Sequence, residues 1–310
     1  MKPLLILSGP TAVGKTELSI SLAKSINGEI ISADSMQVYR GMDIGTAKIK
    51  PEEMQGIRHH LIDIIDPRDE WNVSLFKKHA MDAVNDIYSR GKVPVLVGGT
   101  GFYIQALLYN VDFSEEKESD IRLRLTKEYE LNGAHALHEK LKQCDPVSAE
   151  IIHENNVKRV IRALEFFELH GIPISEHNRV QSLRTSPFDF RYFVLSDARE
   201  KIYKRIDKRV DKMLEAGLVD EVKSLVDSGL DLSYVSMQGL GYKEIYKYLK
   251  GEYSPGEAVY ILKRDTRHFA KRQLTWFRRE KEVIMISRQD YENDTLILEK
   301  MLERFNEIYE

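Results

Sequence analysis

The 310-residue sequence has a single cysteine, Cys144, which rules out an intrachain disulfide and a cysteine-based zinc site and fits a reducing compartment. It has no apolar run long enough to span a bilayer and no charged-then-apolar leader, so it reads as cytoplasmic, with no membrane attachment. Repeats and low-complexity segments are missing too, which excludes a solenoid or a disordered tail. Neither sign of charge dominates: 46 lysines and arginines against 49 acids leave a net −3, so the chain is not basic all over, although cations can still gather on one face. What is present is 42% hydrophobic content, over a length that buries one large core or two smaller ones. An α/β body with an appended or inserted piece is expected, folding alone as a monomer.

The stretch Gly9-Pro10-Thr11-Ala12-Val13-Gly14-Lys15-Thr16 follows the apolar run Leu4 to Leu7 and precedes Leu18, Leu22 and Ile26 at helical spacing. A strand, a glycine loop and a helix start make a phosphate cradle. Gly9 and Gly14 let successive N–H groups converge on one anion, Lys15 adds a point charge, and the Thr16 hydroxyl can ligate a Mg²⁺ that bridges phosphate oxygens. Such a loop specifies a di- or triphosphate, not ATP in particular. The next strand, Glu29 to Asp34, ends in an acid that should face the same crevice, because ligands of open α/β sheets bind beyond the carboxyl ends of the strands. Ser35 to Lys48 is too glycine-broken for a long helix and reads as a binding loop or as an ordinary surface connection.

His59 to Pro67 reads as a third strand, and its adjacent histidines, pointing to opposite faces, make poor joint metal ligands. A helix follows on Val73, Phe76, Ala80, Val84 and Ile87; a fourth strand, Val93 to Val97, then runs into Gly98-Gly99-Thr100-Gly101. That turn either approaches a ligand in the crevice or is only a tight strand-to-helix connection. Over 114–186 strand signals give way to helical ones on Ile121, Leu125, Leu137, Leu141, Val157, Ile161, Leu164 and Phe167. A helical insertion is therefore expected within a core of 1–113 and 187–310. Lys158, Arg159 and Arg162, with Arg122 and Arg124 before them, place positive charge beside its apolar stripes, as a solvated face would also do.

Phe190 to Asp197 resumes the strand pattern, and Asp197 reads as a Walker B acid or as a helix cap. On the helix from Arg199 to Ala216, Arg205 and Arg209 lie four apart, away from Ile202, Ile206, Val210 and Leu214. Arg209 is thus a candidate phosphate clamp or a solvated cation. Gln238 to Lys243 is a glycine-flexed loop opening another helix, and Lys263 to Arg279 crowds cations and aromatics together as nucleic-acid surfaces do. A last strand, Val283 to Ile286, and a helix turning Leu296, Leu298, Met301 and Phe305 inward complete the body. The fold class is α/β, a P-loop NTPase-like parallel sheet flanked by helices with a helical insertion. A P-loop kinase for a small molecule would explain the cradle and Asp34 but leave the basic helix and the insertion unused. A nucleotide-switched regulator bound to nucleic acid is a third reading, and the want of a clear Walker B acid weakens both.

Taken together, residues 9–16, Asp34 to Lys48, Gly98 to Tyr103, Gly239 to Tyr242 and Ala270 to Trp276 resemble the bacterial tRNA dimethylallyltransferases, also called isopentenyl-diphosphate:tRNA isopentenyltransferases, over nearly the whole chain. The resemblance implies transfer of a dimethylallyl group from its diphosphate to the exocyclic N6 of the adenosine just 3′ of the anticodon in tRNA, with Mg²⁺ and without ATP as a substrate. It implies Asp34 as general base, Thr11 and Arg209 as aids to the diphosphate, and Gly9, Pro10, Thr11, Ala12, Val13, Gly14, Lys15 and Thr16 as its cradle, with Thr16 on the metal. It also implies tRNA contacts from Asp34, Ser35, Met36, Gln37, Thr100, Arg122, Lys158, Arg159, Val160, Ile161, Arg162, Gln238, Gly239, Leu240, Gly241, Tyr242 and Lys243. The eukaryotic members carry a zinc-finger tail, which this chain, with one cysteine, lacks. A transferase acting on free adenine nucleotides is the nearer rival, and the helical insertion argues for a large RNA acceptor instead.

Overall fold

The computed structural model describes residues 2–110, 120–181 and 183–307. The chain forms two compact units, 1–108 with 187–310, and 109–186. The boundary expected between 113 and 114 lies outside the described residues.

The first unit opens with β1 (Lys2–Ser8), α1 (Lys15–Ser25), β2 (Gly28–Ser32), β3 (His59–His60), α2 (Val73–Ser89), β4 (Val93–Gly98) and α3 (Gly101–Leu108). The second unit, whose regular elements among the described residues are all helices, comprises α4 (Asp120–Cys144), α5 (Pro146–Ile151), α6 (Val157–His170) and α7 (Ile174–Gln181). The chain then returns to the first unit with β5 (Phe188–Ser196), α8 (Arg199–Glu215), α9 (Leu218–Asp227), α10 (Tyr242–Leu249), α11 (Pro255–Phe277), β6 (Val283–Ser287) and α12 (Asp294–Asn306).

The six strands form one parallel sheet in the order β3-β2-β4-β1-β5-β6. A parallel strand covered on both faces needs an unbroken apolar run rather than alternation, and Leu4 to Leu7 in β1 and Tyr192 to Leu195 in β5 supply it, every one fully buried. Leu5, Leu7, Leu18, Leu22, Val95, Leu195, Ile286 and Met301 belong to one core on α1 and α12, each such side chain contributing about 1.5–3 kcal/mol by leaving water. α2 starts where the Asn72 side chain accepts from the Leu75 amide, and α11 starts with Ser254 and Glu257 capping each other's backbone before Pro255. In the second unit Leu125, Leu137, Leu141, Val160, Ile161 and Leu164 form a separate core, and Gly133, at φ 78°, breaks α4.

Two expected elements differ. The third strand is only His59–His60, because the chain turns at once through positive φ at Leu61 (63°) and Asp63 (56°) before Ile65 bridges to Tyr39. His60 Nε2 lies 2.8 Å from buried Glu29, and His59 Nδ1 lies 2.9 Å from the Ile57 carbonyl. Burial opposes ionisation of Glu29, but hydrogen bonds from Lys92, His60 and Arg90 win and hold its carboxyl at about 2. In α12 the buried side chains are Ile297, Met301 and Phe305; Leu296, expected to point inward, is 40% exposed, because the inward stripe runs at four-residue intervals from 297.

Candidate active site

The carboxyl ends of the strands carry the segments singled out in the sequence: 9–16 after β1, Asp34 after β2, Gly98 to Gly101 from the last residue of β4 onward, Asp197 after β5. The P-loop takes its shape from residues with positive φ, at Gly9 (140°), Ala12 (61°) and Gly14 (95°). At Gly9 a Cβ would also stand 2.5 Å from the Leu195 carbonyl oxygen, so β5 leaves no room for a side chain. Lys15 Nζ donates to the carbonyls of Gly9 and Pro10, each at 2.9 Å.

Asp34 is oriented by its own turn. Its Oδ1 accepts from the amides of Met36 (2.9 Å) and Gln37 (3.4 Å), while Oδ2 has no hydrogen bond among the described residues. Ala33, just before it, is fixed by donating to the Val97 carbonyl at 2.8 Å and accepting from the Thr100 amide at 3.3 Å, which ties the end of β2 to the turn after β4.

Three charges sense one another here. Burial brings the Lys15 ammonium down from 10.5 to about 7, with the positive charge of Arg209 helping and the negative charge of Asp34 opposing. Burial likewise lowers Arg209, again against Asp34. Arg209 Nη2 reaches the Thr46 carbonyl at 3.5 Å, and Gln37 Nε2 reaches the same oxygen at 3.4 Å. The loop bearing Thr46 is clamped by Glu221 on α9. Its carboxylate accepts from the amides of Asp43 (2.9 Å), Ile44 (2.8 Å) and Gly45 (3.0 Å) and from the Tyr242 hydroxyl (2.7 Å). Gly45 is glycine for a reason of space: a Cβ there would meet the Tyr242 ring at 2.5 Å.

Several residues expected at the site do something else. Tyr242 is fully buried, its hydroxyl committed to Glu221, so it supports the loop and offers no side chain to RNA. Val160 and Ile161 lie in the second unit's core, because only one face of α6 is free; that face shows Lys158, Arg159 and Arg162, which have no ion pair among the described residues. Arg122 is bound to Glu165, a carboxylate with no exposure, which fixes the guanidinium on the second unit's surface. Asp197 is neither a Walker B acid nor a side-chain cap of α8: its carboxylate, 3% exposed, is held by Arg205, which also donates to the Ala12 carbonyl at 3.3 Å. On α11, Arg267 is paired with Asp207 and Lys263 with Asp211, whereas Lys271 and Arg272 are exposed and have no ion pair among the described residues. Trp276 and Phe102 are both exposed beside one another, rings edge to face at 6.4 Å. Ser35, Gln238, Gly239, Leu240 and Lys243 are at least partly exposed, and Gly239 makes room for Met36, whose Cε would be 2.5 Å from a Cβ.

The donor set at the P-loop suits magnesium. Thr16 is exposed in the first turn of α1, and Mg²⁺ commonly takes one or two protein oxygens and completes its shell with phosphate oxygens and water.

Residues 37–280 match the family model described as IPP transferase, and residues 2–70 match one described as isopentenyl transferase. A curated relative from Lachnoclostridium phytofermentans, named tRNA dimethylallyltransferase, is 61% identical over 308 residues, covering 99% of this chain and 98% of its own. Among solved structures, the full-length tRNA isopentenylpyrophosphate transferase of Bacillus halodurans is 44% identical with a TM-score of 0.74, covering 100% of this chain and 96% of its own. A eukaryotic dimethylallyltransferase solved acting on tRNA is 32% identical with a TM-score of 0.79, over 93% of this chain and 74% of that one.

Proposed function

Since the chain belongs to the IPP transferase family, we propose that its crevice takes dimethylallyl diphosphate and a tRNA adenosine, and joins the five-carbon group to the exocyclic N6 of the adenosine 3′ of the anticodon. The chain is a tRNA-modifying transferase of the dimethylallyl group. The observation that carries the detailed reading is that the Lys15 and Arg209 charges both act on Asp34, whose Oδ2 has no hydrogen bond among the described residues.

An adenine amine is a weak nucleophile because its lone pair is delocalised into the ring. As the new C–N bond forms and the allylic C–O bond breaks, the N6 proton passes to Asp34 Oδ2, a step worth about 10²–10⁴ in rate. The electron pair leaves with the diphosphate, whose charge is met by P-loop amides, Lys15 and Arg209, with Thr11 alongside; preorganised donors of this kind are worth about 10²–10³ each. Mg²⁺ at Thr16 would neutralise phosphate charge when bound. The base reaches the crevice by flipping out of the anticodon stack, which costs a few kcal/mol. Lys158, Arg159 and Arg162 in one unit, and Lys271, Arg272 and Trp276 in the other, suit phosphate contacts and base stacking.

A kinase reading loses its metal-holding acid, since Asp197 is occupied by Arg205. Mass analysis of nucleosides from tRNA incubated with the protein, Mg²⁺ and dimethylallyl diphosphate tests the proposal: a prenylated adenosine is expected with the parent, and a loss of about 10²-fold or more in Asp34→Asn with tRNA affinity retained. No product from the parent, or turnover when ATP replaces the prenyl donor, overturns it.

A further inference from the structure

α11 buries Ala258, Leu262, Ala270, Gln273 and Phe277, so a primary amide interrupts an otherwise apolar stripe. Gln273 is 7% exposed and uses both ends of that amide. Its Oε1 accepts from the Thr11 amide at 2.9 Å, and its Nε2 donates to the Gly99 carbonyl at 2.9 Å. The side chain thus spans the loop after β1 and the turn after β4. The last backbone register pair joining those strands is Ser8 with Gly98; just past it, Gln273 connects the two diverging segments. Two of the turn's glycines, Gly99 and Gly101, make room for this helix. A Cβ on Gly99 would stand 2.2 Å from Gln273 Nε2, and one on Gly101 would stand 2.1 Å from Trp276 Nε1.

We propose that Gln273 is a positioning residue for the transfer reaction, fixing the P-loop at Thr11 relative to the Gly99–Thr100 turn and hence the diphosphate site relative to the acceptor site. This rests on the function proposed above. The residue type follows from the two partners: one end must accept from an N–H and the other must donate to a carbonyl, at full glutamine length and without charge. An ionised glutamate accepts but cannot donate, and it sets its charge against the Gly99 oxygen. A leucine leaves the part-buried Thr11 N–H and Gly99 C=O without this partner. A protonated glutamic acid, by contrast, both accepts and donates.

Gln273→Glu therefore provides a test that a merely structural role would not pass. Transfer to tRNA is measured for the parent and the variant between about pH 8.5 and about pH 5.5, with thermal unfolding of both at each pH. At the upper end the variant's kcat is expected to fall by about 10- to 100-fold, the scale of a misplacement near 1 Å, with KM for tRNA changed less than about twofold. The variant-to-parent ratio should recover by about tenfold as the buried carboxyl takes up a proton, while Gln273→Leu recovers at no pH. If Gln273→Glu does not fold at the upper pH, Gln273→Asn, shorter by one methylene, takes its place, with the same loss in kcat at unchanged KM. A variant kcat equal to the parent's, or a loss that is constant with pH and tracks the melting temperature, overturns the role. Transfer absent in the parent overturns the proposed function and this role with it, so the two failures are distinct.

Discussion

Replacing Lys15 with methionine is expected to stabilise the protein while removing its hold on diphosphate. Burial, helped by Arg209, brings the Lys15 ammonium down from 10.5 to about 7. Because the folded-state value is the lower one, the unfolded chain binds more protons between about pH 7 and pH 10.5, and stability rises with pH across that window. Below about pH 7 the lysine is charged in both states and the full cost of burying the charge is present. The interval sets a ceiling near 5 kcal/mol. The hydrogen bonds from Nζ to the Gly9 and Pro10 carbonyls return about 1 kcal/mol each, so the net gain in Lys15→Met should be about 1–3 kcal/mol at pH 6. Urea unfolding at about pH 6 and about pH 9.5 reads this out: the gain should shrink by up to about 1.4 kcal/mol per pH unit above 7. Inorganic pyrophosphate at a hundredfold its Kd should add about 2.7 kcal/mol to the parent and little to the variant. A variant less stable than the parent at pH 6, or a difference that ignores pH, would refute the argument that this ammonium is held against its charge.

Glu221→Gln should cost about 2–4 kcal/mol in chemical unfolding, since one carboxylate oxygen accepts two amides and the amide side chain brings an unwanted donor; the transfer rate should drop as the Thr46 carbonyl loses its placement beside Arg209. Lys271→Ala should weaken tRNA binding and flatten the log–log salt dependence by up to about one unit in filter binding, whereas Arg267→Ala, already paired with Asp207, should lower the melting temperature and leave the slope near the parent's. Burial raises the Glu280 carboxyl to about 7 against a hydrogen bond from Gln105, so stability from this group is full below about pH 4.5 and is lost as pH rises towards 7. Glu280→Gln should accordingly be more stable than the parent by about 1–2 kcal/mol at pH 8 and equal to it near pH 4 by thermal unfolding.

The parallel sheet was legible because each of its central strands is a short apolar run followed at once by glycine or an acid, and a covered strand demands that pattern. The edge strand was not, since Leu61 and Asp63 turn the chain through backbone angles that their side chains do not announce. Lys15, Asp34 and Arg209 could be read from loop chemistry and helix phase. Glu221 could not: an acid in the first turn of an amphipathic helix looks like any N-terminal preference, and its partners lie some 176 residues earlier in the chain. Gln273 did carry a signal, a polar residue in phase with Ala270 and Phe277, but it sits among lysines and arginines whose charge draws the reading toward the surface. Tyr242, Val160 and Ile161 entered through motif resemblance, and helix phase turns their side chains inward.

β1 is flanked on one side by β5, paired from Lys2 with Phe188 to Ser8 with Val194, and the second unit is spelled out in the chain between them. During synthesis, at about 5–20 residues per second, the first strand waits for its neighbour and the P-loop waits longer still for Gln273, roughly 15–50 s after Ser8 is made. Until β5 is made, the apolar segment Leu4 to Leu7 has β4 on one flank only. A ribosome-bound chain short of α11 therefore carries the phosphate-binding motif without the strut that joins it to the neighbouring turn, and anion affinity should arrive late and abruptly in the life of the nascent polypeptide.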